Sequence, residues 1–224
     1  MTNADTPFGT RKREQAAIAR RRLYPVSFLY SAYSLTVLIL AARVGRPARA
    51  LAFFGTGVIA WTLLEYLVHR YVLHGRFADG PGPVQHFLHR SFDHLHWEHH
   101  ARPWDGRHVN GTIKDTGPFA LALAGMSWLG PLDVSAAFMA GLLQAYIVEE
   151  WVHHSVHFCD FDNPYFRYIK RYHLYHHSPK GSDAGYGLTN GIWDIVLRTR
   201  FPSEVRQALY ARRTAEPDAG ARMA

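Results

Sequence analysis

Four short histidine clusters are the residues of this chain best suited to chemistry. They are His69-Arg-Tyr-Val-Leu-His74, His96-Trp-Glu-His99-His100, His153-His-Ser-Val-His157 and His173-Leu-Tyr-His176-His177. A lone histidine is more often a satisfied core residue than a ligand, but two H-x-x-H-H motifs beside an H-x4-H and an H-x3-H form a pattern. Side chains three or four apart share a helix face. His153 can therefore meet one metal ion together with His157, as can His96 with His99 and His173 with His176. Adjacent residues point about 100° apart, so His100 and His177 are turned toward a neighbouring ion. His69 and His74, five apart, also diverge. The spacings predict two metal ions side by side, each taking imidazoles from several helices. Helical bundles build dimetal sites in this way, most familiarly with carboxylates. A single catalytic zinc needs about three protein ligands and a water, far fewer than ten. Imidazole suits zinc, copper, iron and nickel alike, so spacing does not separate iron from zinc.

The elements that must hold these clusters are apolar helices. Tyr24 to Ala42 is uncharged, and Ala50 to Val68 carries only Glu65. Each is long enough to approach the roughly 20 residues that cross a bilayer. Gly117 to Val152 reads as a helical hairpin broken at Gly130-Pro131-Leu132-Asp133, with a short first arm. The expectation is an all-α integral membrane bundle of about four transmembrane helices. A cleaved signal or twin-arginine leader at the first segment is set aside for want of a cleavage site. Residues 1–20 and 205–224 read as polar, mobile tails. Clustering neutral imidazoles beside a bilayer costs free energy unless something compensates, and metal coordination supplies that compensation.

The 224 residues suffice for one domain. A net charge of +7 comes from 25 Lys and Arg against 18 Asp and Glu. The basic residues flank the apolar segments, which favours lipid headgroups over nucleic acid. Their distribution puts the N-terminal tail, the second-to-third connection and the C-terminus on the cytoplasmic side. Arg43, Arg46 and Arg49 in the first short loop oppose that assignment. The single cysteine, Cys159, excludes an internal disulfide and a cysteine-based zinc site.

The four boxes resemble those of the fatty acid hydroxylase and sterol desaturase superfamily. Glu65-Tyr-Leu-Val-His69-Arg with His74 is similar to its first box, and Glu150-Trp-Val-His153 with His157 to its third. Tyr172-His173-Leu-Tyr-His176-His177, followed by Tyr186-Gly187 and Trp193-Asp194, is typical of the fatty acid hydroxylase branch. The resemblance covers roughly residues 50 to 200. It implies helices under a cytosolic helical cap that holds two iron ions (zinc possible as purified), with O2 and an external electron donor. Box by box, it implies that one ion takes His69, His96, His99, His173 and His176. The other takes His74, His100, His153, His157 and His177. His86, His89, His94, His108 and His154 are additional to the boxes, and His154 competes with His153 for register.

Metal-bound histidines usually donate their second N–H to a carboxylate or carbonyl. Glu65 and Glu150 are the leading candidates for that role, one turn before His69 and three residues before His153. Glu149, Asp93, Glu98 and Asp194 follow. The resemblance implies O2-dependent hydroxylation of a fatty acyl chain or related lipid. Ring hydroxylation of a carotenoid or sterol is the alternative, desaturation a third outcome of the same hydrogen abstraction, and metal transport or sensing a reading of another class. A separate ferredoxin or cytochrome with its reductase is expected to deliver electrons at Arg167, Lys170 and Arg171. A bacterial plasma membrane is the expected location, with the endoplasmic reticulum as alternative. The sequence does not indicate an oligomeric state.

Overall fold

The structure is a computed structural model. It describes residues 7–75, 77, 80–89 and 94–211, without the side chains of residues 87, 88, 94 and 95. Helices α1 (Pro7–Arg43), α2 (Pro47–Leu67), α3 (Pro83–Leu88), α4 (His94–Ala101), α5 (Ile113–Met126), α6 (Ala137–Phe158), α7 (Pro164–His176), α8 (Ile192–Val196) and α9 (Ser203–Ala211) follow in order. No strand occurs among the described residues. The segments Pro7–Arg43, Pro47–Leu73 and Leu132–Phe158 are long and apolar enough to cross a membrane. The expected short arm is α5, at 14 residues. The protein is a multi-pass membrane protein.

Helix α6 is the centre of the bundle, packed against α1 on one side and α2 on the other. Gly57 and Gly141 bring α2 and α6 into near contact. A Cβ at Gly57 would lie 2.2 Å from the Phe138 carbonyl oxygen, and one at Gly141 2.1 Å from that of Phe54. Small residues at such crossings replace the hydrophobic driving force that lipid does not supply. Val26, Tyr30, Ala120, Leu143 and Ile147 fill the space among α1, α5 and α6. Phe28, Ile59 and Leu121 are exposed on the outer faces, as lipid-facing side chains are.

The two ends of the bundle differ. At one end, Arg46 and Arg49 of the first loop and α2 pair with Asp133, which is 2% exposed. Those arginines, which oppose the charge-based orientation, are therefore partly neutralised. The other end carries the histidines and the cap formed by α4, α7, α8 and α9. Asn163 caps α7 by accepting from the Tyr165 N–H at 2.9 Å, with Pro164 at the first helical position. Thr112 and Asp115 form a capping box at the start of α5.

Two expectations need correction. Residues 7–20 are not a tail: they form the first turns of α1, with Ala16 and Ala19 buried against Val109 and Phe158. The charged residues there alternate with a stripe of small apolar ones, and that stripe supplies a packing face. Residues 203–211 likewise form α9, whose Leu209 packs on Tyr172 and Phe201.

Candidate metal centre

All ten box histidines converge. Ring nitrogens of His69, His74, His96, His100 and His176 lie within 4.8 Å of one another, as do those of His99, His153, His157, His173 and His177. The groups adjoin: the His100 and His177 rings stack at 4.2 Å between centroids.

The division differs from the expected one. His99 and His173 fall with His153 and His157, whereas His74 and His100 fall with His69. Helix geometry explains the exchange. A residue four further on is about 40° past a full turn, whereas one three further on is about 60° short. On α4, His96 and His100 share a group, their Nε2 atoms 3.0 Å apart, while His99 turns to His153 at 2.9 Å. On α7, His173 and His177 share a group at 3.0 Å, while His176 turns to His74 at 3.0 Å. His69 and His74 join because Val68–Leu73 is a π-turn, with the His74 N–H donating to the His69 carbonyl at 3.0 Å. A hydrogen bond between residues five apart places them one above the other. π-turns of this kind are frequent at functional sites.

The donor chemistry fits a metal. The Nδ1–H of His69 donates to the Tyr186 carbonyl at 2.6 Å, and that of His176 to the Ala184 carbonyl at 2.8 Å. A carbonyl only accepts, so each neutral ring turns a bare Nε2 lone pair inward. The Nε2 of His69 is buried without a hydrogen-bond partner. Around it, His74 Nε2 lies 2.9 Å from His96 Nε2 and 3.0 Å from His176 Nε2. Nitrogens at a metal–nitrogen distance of about 2.0–2.1 Å and at right angles are about 3 Å apart, which matches this spacing. Burial, reinforced by neighbouring imidazoles, lowers His74 to about 3 and His100 to about 2. Burial holds His176 at about 4 against its backbone hydrogen bonds. The rings are therefore neutral, as ligands must be.

The loop from Ala184 to Asn190 orients this group and is itself pinned from two sides. Asp194, fully buried, accepts from the Tyr186 N–H at 3.0 Å, the Gly187 N–H at 2.9 Å and the Thr199 hydroxyl at 2.7 Å. Burial raises its pKa above the usual carboxylate range, and these hydrogen bonds oppose the rise. Glu65 accepts from the Leu188 N–H at 2.7 Å, the Thr189 N–H at 2.8 Å and the Thr189 hydroxyl. Glu65 thus acts on the loop that holds His69, rather than on His69 directly. Gly185 makes the turn at φ +71°, packed so closely on the Phe201 ring that a Cβ would lie 2.4 Å from it. Glu150 binds Asn110 at 2.7 Å and so fixes the 109–111 loop against α6. Glu149 accepts from the Trp61 indole N–H at 2.8 Å, and Glu98 pairs with Arg102. Asp93 and the His94 side chain lie outside the described residues.

The other additional histidines stand apart. His89 Nδ1 lies 2.7 Å from the Phe77 carbonyl, His108 is 3.9 Å from Asp105, and His86 is exposed. His154 is buried between Trp151 and Phe158, which settles the register in favour of His153. The carbonyls of Tyr186 and Ala184 are invisible to side-chain reasoning. The glycines at 185 and 187 were the available signal that backbone approaches something closely there.

A membrane-helix bundle closed at one end by a cap that gathers ten imidazoles defines a histidine-cluster membrane protein. The fatty acid hydroxylase family pattern matches residues 54–199. The chain belongs to the fatty acid hydroxylase family. It is 33% identical to the dihydroceramide fatty acyl 2-hydroxylase of Arabidopsis thaliana over 64% of its own length and 58% of the relative's. It is 28% identical to the fatty acid 2-hydroxylase of Rattus norvegicus over 69% of its length and 41% of the relative's. The chain thus spans about half the length of these curated relatives. A solved structure of full-length scs7p, with only the hydroxylase domain visible, superposes with a TM-score of 0.66 at 26% identity. That match covers 80% of this chain and 67% of the other.

Proposed function

We propose that this protein is a membrane-bound, O2-dependent hydroxylase of fatty acyl chains, and that the two five-histidine groups each bind one iron ion. The observation that carries the reading is the convergence of ten imidazoles at one end of apolar helices, in a chain of this family. Both relatives described above are named 2-hydroxylases, so the carbon beside the acyl carbonyl is the first position to test.

When bound, iron supplies the oxygen activation that protein side chains lack. The chain's own work is positional. Burial keeps His74, His100 and His176 neutral, and the 184–190 loop fixes the tautomers of His69 and His176. The cap keeps bulk water from the centre, and the helices present an acyl chain arriving from the bilayer. The overall reaction converts C–H to C–OH. The second oxygen atom leaves as water, and an external carrier supplies the electrons. Transport is disfavoured because the ligands gather at one depth instead of spanning the bilayer.

The charge distribution, with Arg46 and Arg49 paired to Asp133, supports a cap facing the cytoplasm. The test pairs metal analysis of the purified protein with lipid extracts from cells with and without the gene. About two irons per chain and an acyl mass gain of one oxygen are expected. Labile zinc and unchanged lipids would overturn the proposal.

A further inference from the structure

Two of the three basic residues first expected to receive an electron carrier, Lys170 and Arg171, are engaged elsewhere. Lys170 is 6% exposed and donates to the Cys159 carbonyl at 2.9 Å and to Asp160 at 2.8 Å. Arg171 donates to the Leu209 carbonyl at 3.1 Å. These contacts hold α7 to its neighbours.

Another surface meets the requirements of electron entry. The second histidine group is deeply enclosed, with His157 at 0% exposure. Trp104 stands edge-on to the His157 ring at 5.8 Å between centroids, and is itself 36% exposed. One aromatic side chain therefore links solvent to a candidate ligand. The turn that carries Trp104 is seated on α1: the Gly106 N–H donates to the Gln15 side chain at 2.9 Å, and a Cβ at Gly106 would lie 2.0 Å from the Gln15 carbonyl oxygen. Gln15 precedes the start of the uncharged stretch at Tyr24 by about 13 Å of helix. The turn consequently stands clear of the hydrocarbon.

The charge around it is predominantly positive. Between Pro7 and Arg22, α1 carries Arg11, Lys12, Arg13, Arg20, Arg21 and Arg22 against Glu14, with Lys12 paired to Asp160 at 3.1 Å. Arg11 is exposed one turn before Gln15, whereas the Arg107 side chain, beside Gly106, is 66% exposed and pairs with Asp105 of the same turn at 3.0 Å. Opposite charge on a partner would steer its encounter with this face.

We propose that the face formed by the first turns of α1 and the 104–107 turn docks an acidic one-electron carrier protein, with Trp104 as the bridge to the histidine group at His157. The proposal rests on the iron-oxygenase reading above. At each transfer the carrier is oxidised by one electron and the iron reduced by one. No bond is made or broken, and Trp104 itself stays unchanged.

The test uses the full chain in lipid nanodiscs and an acidic plant-type [2Fe–2S] ferredoxin as probe, whose low potential suits it as donor. Arg11→Glu with Arg13→Glu should weaken ferredoxin binding about tenfold at low salt, a difference that high salt erases. At saturating ferredoxin, Trp104→Leu should slow ferredoxin-driven reduction of the iron severalfold, while dithionite reduces it at the wild-type rate. Binding indifferent to the charge reversals overturns the docking surface. Trp97 stands 5.7 Å from the His74 ring of the other group, so slowing by Trp97→Leu instead of Trp104→Leu places entry there and overturns the bridge. If dithionite finds no reducible metal in the wild type, the oxygenase reading fails, while the binding measurement still reports on the surface.

Discussion

Asp194 should control the metal affinity of one histidine group and leave the other alone. Its two oxygens divide the work: Oδ1 accepts from the Tyr186 N–H and the Thr199 hydroxyl, Oδ2 from the Gly187 N–H and, at 3.5 Å, the Tyr172 hydroxyl. In Asp194→Asn, whichever way the amide is turned, its NH2 faces a backbone N–H. One buried donor is left unpaired, at a cost of about 1–3 kcal/mol. The strain falls on the Tyr186 carbonyl, which holds the His69 tautomer. Losing the outer partner of a metal-bound histidine typically costs 10–100-fold in affinity, or about 1.4–2.8 kcal/mol. Chelator titration of the purified protein, counting metal per chain, should show one ion released at that much lower chelator concentration. The ion of the His153 group should follow the wild-type curve. Glu65→Gln, which loosens the same loop from the α2 side, should give the same one-ion pattern. Parallel loss of both ions, or a fall in thermal stability with no change in either release curve, would refute the reasoning.

The division of ligands can be read by paired substitutions. His96→Ala with His100→Ala strips two imidazoles from one group and should leave about one metal per chain, whereas His96→Ala with His99→Ala removes one from each and should retain both ions more weakly; equal metal counts would reject the division. The metal-free protein should lose stability as pH falls. His74, His100 and His176 stay neutral in the fold to about 3, 2 and 4, against 6.5 when unfolded, so the unfolded chain binds more protons in between. Their contribution is complete above pH 6.5 and declines toward pH 4, by about 3 kcal/mol for His176 alone; a melting temperature flat between pH 7 and 5 contradicts this. Gly185→Ala should destabilise the cap by a few kcal/mol, through positive φ and contact with Phe201, as read by thermal melts.

Much of the fold was legible because bilayer length and charge are blunt constraints. The uncharged run from Tyr24 and the run from Ala50 each lie within a long apolar helix, α1 and α2, and the Gly130-Pro131 break falls between α5 and α6. The N-terminal turns of α1 were missed because charge density suggested a solvated tail. The decisive feature was the spacing of Ala16, Ala19 and Leu23, a narrow stripe meaningful only once Val109 and Phe158 supplied a surface to meet it. Lys170 and Arg171 misled for a related reason. A basic run on one helix does not reveal that Asp160, the Cys159 carbonyl and the Leu209 carbonyl lie within reach.

The membership of the histidine set was readable, but its partition was not, and the cause is a matter of tens of degrees. On an isolated α-helix, partners three and four residues away are both near neighbours. Which of them joins a given group depends on where the facing helix places its own nitrogens. Here α4 and α7 offer their i,i+4 pairs, His96 with His100 and His173 with His177, to opposite groups. His99 and His176 each cross to the group on the other side. The sequence departs furthest from regular geometry at His69 and His74. An α-helical continuation would have turned these rings apart, and only the π-turn from Val68 to Leu73 aligns them. No side-chain pattern announces that turn. It arises where the membrane helix must end and both imidazoles must still reach His96 and His176. The local backbone is therefore set by the site as much as the site is set by the backbone.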